Sequence, residues 1–343
     1  MNAISQPTAW SVDPRQLDEH ASIEEKLRFA LRYAVLAPSN HNTQPWHFIV
    51  DGDCLTVCAD RTRALPVVDP FDRELIISCG AALFNLRVAL SRFGLAYAIT
   101  PFPAPADVDV LAHLRIVPEG HCDNSLIPLF DAIQQRVTTR DTFVDEPAPP
   151  EFQRRLLEAG AAEGCDIVCV ESAAGREDLA ALIGEADQTQ FKDPRFRREL
   201  ASWVHPGRNQ DGMPALSAGM RGLLDLAVPL VSSVIRTFDL GGGVAAAHHA
   251  LAIGSPLLLC ITTGTDDAPA WFAAGQALER VLLTAAAAGM TASYLNQPIE
   301  STPLRERLRA VLNLDGMPQL LIRVGRGAQA PHSPRRPLAD VMS

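Results

Sequence analysis

The strongest constraint on the fold is an internal repeat. Two apolar stretches far apart in the chain, Gly80–Thr100 (GAALFNLRVALSRFGLAYAIT) and Gly275–Leu295 (GQALERVLLTAAAAGMTASYL), align without gaps. They share Gly80/Gly275, Ala82/Ala277, Leu83/Leu278 and Gly94/Gly289. Leu83, Leu86, Leu90 and Phe93 in the first, and Leu278, Val281, Leu282 and Ala285 in the second, fall at helical spacing. Each stretch therefore predicts an amphipathic helix ending on a glycine suited to a left-handed cap. A strand-like run follows each, Leu111–Val117 and Gln319–Val324, and a further helix precedes each, Ser22–Leu36 and Leu129–Arg136. The order helix, loop, strand, core helix, strand thus occurs twice, and predicts two similar halves over 20–125 and 126–343 sharing one core. Two Ala/Leu-rich core helices would also look alike through composition alone.

Other features narrow the class. Of 343 residues, 47% are hydrophobic and 20% charged, the balance of a globular protein. A net charge of −10 excludes a duplex nucleic-acid surface, which needs clustered Lys and Arg, but leaves room for a local basic pocket. The polar Met1–Glu19 segment lacks the apolar run of a signal peptide. The apolar stretch Gly241–Thr263 is interrupted by His248, His249 and Pro256, and reads as a buried helix and a strand rather than a membrane span. The seven cysteines lack zinc-site spacing and read as small buried residues suited to a reducing cytoplasm; Cys165 and Cys169 share a face of an alternating strand. The rings of His248 and His249 project about 100° apart on a helix, so they read as core or lid residues, and no metal site is expected.

Residues 186–245 have no counterpart in the first half. They hold a charged region (FKDPRFRREL), a turn-rich region (HPGRNQDGMP), an apolar helix candidate over 222–237 and a Gly241-Gly242-Gly243 run read as flexible. An insertion of this length is expected to act as a lid. Its apolar run (Leu223, Leu224, Leu226, Val228, Leu230, Val231, Val234) would cover a ligand, or serve as ordinary core or a dimer face.

The most distinctive string is Ala37–Val50, APSNHNTQPWHFIV: a helix end broken by Pro38, a polar loop, then Pro45 leading into a strand. Ser39, Asn40, Asn42, Thr43 and Gln44 gather donors and acceptors suited to a flat heterocycle. Taken alone, the residues read first as a capped turn whose polar side chains satisfy its own backbone. Downstream, RVTTR puts Arg136, Thr138 and Arg140 on one side of an extended loop, where two guanidiniums and a hydroxyl can grip a phosphate; without more, this is also a plain solvated loop.

APSNHNTQPW resembles the flavin loop of the nitroreductase superfamily, and the whole chain over about residues 20–340 resembles its Acg-like branch, in which one polypeptide imitates the usual homodimer. The resemblance implies an α+β fold, mostly antiparallel sheets surrounded by helices, and one FMN site. It assigns Pro38, Ser39, Asn40, Asn42 and Gln44 to the flavin ring, Arg136, Thr138 and Arg140 to its phosphate and ribityl chain, Leu295, Asn296 and Gln297 to main-chain contacts, and Arg335 and Arg336 to closure of the phosphate site. Thr138 replaces the usual Ser, and Val137 a common Arg. The cofactor then performs the chemistry, with no catalytic side chain and Arg140 as stabiliser of the anionic ring at N1 and O2; His41 reads as a hydrogen-bonding residue. The implied reaction carries electrons from NAD(P)H through FMN to a nitroaromatic, quinone or similar acceptor. The chain would act as a monomeric pseudo-dimer or as a dimer of such chains. A lid-covered, flavin-sequestering or sensing protein with little turnover is the alternative, and a globular protein that has lost its cofactor a third.

Overall fold

The computed structural model describes residues 9–205, 210–214 and 228–343. The chain begins with α1 (Ile23–Ala34), β1 (Trp46–Asp51), β2 (Cys54–Ala59), α2 (Arg73–Arg92), β3 (Tyr97–Pro101) and β4 (Val110–Ile116). It continues through α3 (Phe130–Gln135), α4 (Pro150–Ala161) and β5 (Asp166–Cys169). Next come α5 (Ala173–Lys192), α6 (Pro194–Ser202), the short β6 (Val204–His205) and β7 (Met213–Pro214), α7 (Val228–Thr237) and α8 (Gly241–Ile253). The chain closes with β8 (Leu257–Thr263), α9 (Ala268–Ala287), β9 (Thr291–Tyr294), α10 (Thr302–Val311) and β10 (Met317–Gly325).

Two four-stranded antiparallel sheets organise the α+β fold, in the orders β1-β2-β4-β3 and β5-β8-β10-β9. In each, the strand before the long helix and the last strand lie at the centre. The long helices α2 and α9 each run to a glycine, Gly94 and Gly289, with φ of 70° in both, the left-handed closure that residues with a Cβ resist.

α2 and α9 make the most extensive helix–helix packing in the chain. A Cβ built on Gly80 would sit 2.2 Å from the Phe272 carbonyl oxygen, and one on Gly275 would sit 2.0 Å from the Ile77 carbonyl oxygen. Each glycine thus meets the carbonyl three residues before the other, a reciprocal contact of the kind a two-fold relation creates. α2 is long and apolar enough to cross a membrane, but it lies buried as a core helix.

The two sheets differ in how they are covered. β1 alternates buried and more exposed positions, as a strand with one solvated face does. β8 is buried at every position, and β10 at all but its first residue, because helices flank that sheet on both sides. α9 and α4 supply one core with Leu259, Ile261 and Ile322; α5 and α10 supply the other with Leu258, Cys260 and Leu321. The apolar stretch Gly241–Thr263 is indeed a helix followed by a strand.

The glycine run of the inserted region is more ordered than its composition suggests. Gly241-Gly242-Gly243 forms the first turn of α8 instead of a flexible link, with Gly241 N donating to Asp239 Oδ1 at 2.9 Å. A Cβ on Gly241 would stand 3.0 Å from Phe191 Cβ, so close packing against α5 explains the glycine there. Phe196, Leu200, Val231 and Ile235 join Leu65, Val68 and Phe191 in a small core of their own. Among the described side chains of the proposed cover, Val231 is buried and packs as ordinary core; Leu223, Leu224 and Leu226 lie outside the described residues, as do the side chains of Val228 and Leu230.

The end of the chain returns to the first sheet. Phe48 N donates to Val341 O at 2.8 Å, Ser343 N to Phe48 O at 3.0 Å and Val50 N to Ser343 O at 3.2 Å, so the tail pairs with edge strand β1.

Gly275→Ala should destabilise the protein by about 1–3 kcal/mol, the usual penalty for forcing volume against backbone that cannot yield. Gly242→Ala, whose Cβ would meet nothing within 4 Å, should instead stabilise by about 0.4–1 kcal/mol. Denaturant unfolding of the two variants checks the contrast.

Candidate functional site

A cavity of about 540 Å³ lies where α2, α9, the 38–42 loop, the 136–140 loop, the segment after β9, the 331–335 tail and the inserted region converge. That volume suits a cofactor-sized ligand.

The loop that follows α1 is held in an unusual backbone. His41, Asn42 and Gln44 have φ of 50°, 56° and 52°, a left-handed region that costs most residues energy and is tolerated best by Asn. Side chains offset the strain. Ser39 Oγ accepts from Gln44 N at 2.9 Å, Asn42 Nδ2 donates to Gly212 O and Pro334 O at 2.9 and 3.0 Å, and Asn42 Oδ1 accepts from Arg335 at 2.9 Å. The loop therefore bonds to the insertion and to the tail as well as to itself. Asn40 Oδ1 lies 2.7 Å from His41 Nδ1, which makes Nδ1 the protonated nitrogen. Burial, and then Arg140, pulls the His41 pKa down to about 4. The ring is neutral at pH 7, and its Nε2, buried without a partner, offers a lone pair and not a proton.

One end of the cavity is cationic. Arg136, Thr138 and Arg140 line it together, while the intervening Thr139 is buried against Thr291, hydroxyl to hydroxyl at 2.8 Å. This alternation is fixed by pairing of the loop to β9, where Thr139 N donates to Ala292 O at 3.0 Å. Arg335 donates to the carbonyls of Leu36 and Ala37 at 3.0 and 2.9 Å. Arg323, from the middle of β10, donates to Thr139 O and Asp141 O at 2.9 and 2.8 Å. Burial pulls Arg335 down to about 9, helped by Arg136, pulls Arg323 down to about 10, and lowers Arg140. Glu279 of α9 sits beside these cations, its Oε1 3.4 Å from Arg136 Nε. Among the described residues, the Nε atoms of Arg323 and Arg335 and the hydroxyl of Tyr294 are buried with no hydrogen-bond partner, and Arg136 Nε has only the ion-pair contact to Glu279. Buried donors normally find acceptors, and a surplus of desolvated guanidinium charge calls for an anion. Trp10 closes this end: it stacks on His332 with ring centroids 4.0 Å apart, and Arg335 lies 4.8 Å from its ring centre.

The other end carries amides and acids. Glu74, at the start of α2, accepts from Arg73 at 2.9 Å and Asn296 at 3.3 Å, and also from Asn40. Gln190 donates to Glu300. Burial raises the pKa of Glu74 and raises that of Glu300 well above the ordinary carboxylate range, and the Glu74 carboxylate adds to the effect on Glu300. His248 of α8 sits against Asp187 of α5, Nδ1 to Oδ2 at 2.8 Å. His249 turns away to Glu177 at 3.1 Å, so the neighbouring imidazoles serve separate partners.

Of the residues expected from sequence, Pro38, Ser39, Asn40, Asn42, Arg136, Thr138, Arg140, Leu295, Asn296, Gln297 and Arg335 line this cavity. Gln44 and Arg336 do not. The buried Gln44 side chain accepts from Arg336 N at 2.8 Å and donates to Gln210 O at 2.9 Å, while the Arg336 guanidinium turns to Gln44 O, Asp340 O and Asp60. Glu74, Asp187, His248, Glu300 and Arg323 were not anticipated. A lone Arg in the apolar run QLLIRV was the one legible hint among them. From the insertion, Phe191, Phe196, Leu200, Leu240 and Val244, joined by Leu251 further along α8, add an apolar wall.

These residues fit a ligand with an anionic end and a polar heterocycle: partnerless guanidinium and phenol donors at one end, a bare His41 Nε2 and amides along the rest.

Burial outweighs Arg136 and Arg335 at Glu279 and pushes its pKa up to about 7. Between the ordinary value and pH 7 the folded state keeps a proton that the unfolded state has released. Stability from this group is therefore present at low pH and lost as pH rises through that window, by roughly 3 kcal/mol in total. Melting curves of ligand-free protein from pH 5 to 8 should show this loss in the wild type relative to Glu279→Gln.

No family model matches the chain. Two Mycobacterium tuberculosis proteins named "Putative NAD(P)H nitroreductase" are similar to it over nearly their whole lengths. One, of strain H37Rv, is 32% identical over 96% of this chain and 94% of its own; the other, distinguished as acg, is 27% identical over 92% and 94%. Among solved structures, the FMN-dependent nitroreductase NfnB of Mycobacterium smegmatis in complex with NADPH matches at 17% identity and a TM-score of 0.41, over 62% of this chain and 96% of that one.

Proposed function

Because the chain belongs to the nitroreductase superfamily, we propose that its cavity holds one FMN and that the protein is an oxidoreductase passing electrons from NAD(P)H to a nitroaromatic, a quinone or a similar acceptor. The observation that carries this reading is the cavity's polarity: a cationic end where guanidinium Nε donors lack hydrogen-bond partners among the described residues, beside a strained, amide-rich loop. FMN has matching parts, an anionic phosphate and a flat ring with carbonyls and ring nitrogens. When bound, FMN supplies the two-electron chemistry.

The chain's own residues then bind and orient. Arg136, Arg140 and Arg335 would hold the phosphate end, with Thr138 adding a hydroxyl; an anion there relieves the desolvation that depresses Arg335 and Arg140. Pro38, Ser39, Asn40 and Asn42 would frame the ring, with His41 Nε2 as an acceptor. Leu295, Asn296 and Gln297 would supply backbone along another edge. Arg140 remains our candidate for stabilising negative charge on the ring at N1 and O2. The apolar side chains of the insertion would exclude water and act as a lid over the site. We read the two matching sheets as a duplicated nitroreductase-like fold, halves 20–125 and 126–343, in which the ring loop comes from the first and the arginines from the second. A sequestering role is favoured by the same apolar wall, should it leave no room for a nicotinamide.

Purified protein should be yellow, and anaerobic NADH or NADPH should bleach it promptly; retained FMN with no bleaching would instead favour sequestration, and a chain that never takes up FMN would refute both. Arg335→Ala should weaken FMN binding by at least about tenfold, the scale of a charged hydrogen bond, whereas Arg336→Ala should change it by less than about twofold. Flavin fluorescence titration measures both.

A further inference from the structure

The acidic end of the cavity contains an arrangement that cofactor binding leaves unused. His248 lines the cavity with its side chain 27% exposed, and its Nδ1 lies 2.8 Å from a carboxylate oxygen of Asp187, which is only 2% exposed. A buried carboxylate needs a partner, because leaving it unpaired costs more than any single neutral hydrogen bond returns. Asp187 therefore fixes the proton on Nδ1 and orients the ring. Gln297 reaches the same nitrogen, Nε2 to Nδ1 at 2.9 Å, while its own Oε1 is buried without a partner; a half-turn of the amide lets Oε1 accept from that N–H too. The bonds to the ring, from Asp187 and Gln297, both engage Nδ1, and the residue lines the cavity with part of its side chain exposed.

We infer that His248, held by Asp187, is the proton donor to the electron acceptor. This rests on the proposed flavin site and specifies what its second substrate requires. A nitro group that receives two electrons and one proton from the reduced cofactor needs one further proton to become a nitroso group and water. Imidazolium His248 gives that proton from Nε2 to the departing oxygen and is left neutral with its proton on Nδ1, the form Asp187 favours. Solvent entering the cavity returns the proton. Asp187 orients the ring and keeps the proton on Nδ1, as a carboxylate does behind a catalytic histidine. Ionisable groups near the pair include Glu300 after β9, which interacts electrostatically with Asp187, and Glu74 and Arg73 of α2, which interact with Glu300.

The test separates proton delivery from cofactor binding. FMN-loaded protein is reduced with dithionite, so that no nicotinamide is needed, and reoxidised in a stopped-flow instrument by nitrofurazone or by ferricyanide. Ferricyanide takes single electrons and no proton. His248→Gln should slow reoxidation by nitrofurazone at least about tenfold, the low end of what general acids contribute, and change that by ferricyanide by less than about twofold. Asp187→Asn should act in the same direction. Equal loss with both oxidants, no loss with nitrofurazone, or a wild type that nitrofurazone cannot reoxidise would overturn the inference while leaving FMN binding intact. A readout free of the cofactor is nitrogen NMR of the histidines in flavin-free protein. Neutral His248 should carry its proton on Nδ1, and Asp187→Asn should lose that tautomer; a proton on Nε2 in the wild type would also overturn it. Failure to bind FMN at all would sink the proposed function and leave this tautomer result to be read by itself.

Discussion

The structure depends on two glycines. At Gly80 and Gly275 the long helices approach until the backbone of one meets the backbone of the other, and no side chain larger than hydrogen fits between them. That approach fixes how α2 and α9 lie side by side, and with them the sheets that flank them. Glu74, Ile77 and Ser78 of α2 and Leu278 of α9 then form part of the cavity wall. A contact with no chemistry of its own thus sets the separation of the groups that have it. Reciprocity makes the arrangement robust, since each glycine enforces the constraint that the other satisfies.

Around that axis the cavity is polarised. Its cationic end gathers guanidiniums whose charged forms burial disfavours, and its acidic end gathers carboxyls that burial pushes toward neutrality. Neither end is arranged for maximum stability. The cationic end and the loop beside it are held by backbone: Arg335 by the carbonyls that end the first helix and its loop, Arg323 by the 139–141 turn, and Asn42 by chain from the insertion and the tail; the acidic end is held by side chains, Asn40, Asn296 and Gln190 among them. Strain in the 38–44 loop belongs to the same pattern, in which unfavourable local conformations are concentrated where a ligand would sit.

Much of this was legible in the sequence, and the exceptions have physical reasons. Helices α2 and α9, their glycine caps, the strands after them and the alternation of Arg136, Thr138 and Arg140 are local properties set by periodicity and by neighbours in the chain. Gly241–Gly243 misled because a glycine run usually signals freedom; here packing against Phe191 and a cap from Asp239 draw it into a helix. Arg336 looked equivalent to Arg335, yet adjacent residues in an extended tail point to opposite sides, and only tertiary structure says which side faces the cavity. Glu74, Asp187, His248 and Glu300 lie on separate elements with no shared motif. Their meeting is a property of the fold alone, and no reading of spacing along the chain could have joined them.

The tail that pairs with β1 also carries Arg335 a few residues earlier, and β1 itself begins just after the strained loop. One terminal segment therefore completes an edge of the first sheet and one wall of the cavity in the same act. A change that loosens the pairing of residues 341–343 with β1 therefore also loosens the seat of Arg335, so the sheet border and the cavity wall cannot be altered independently.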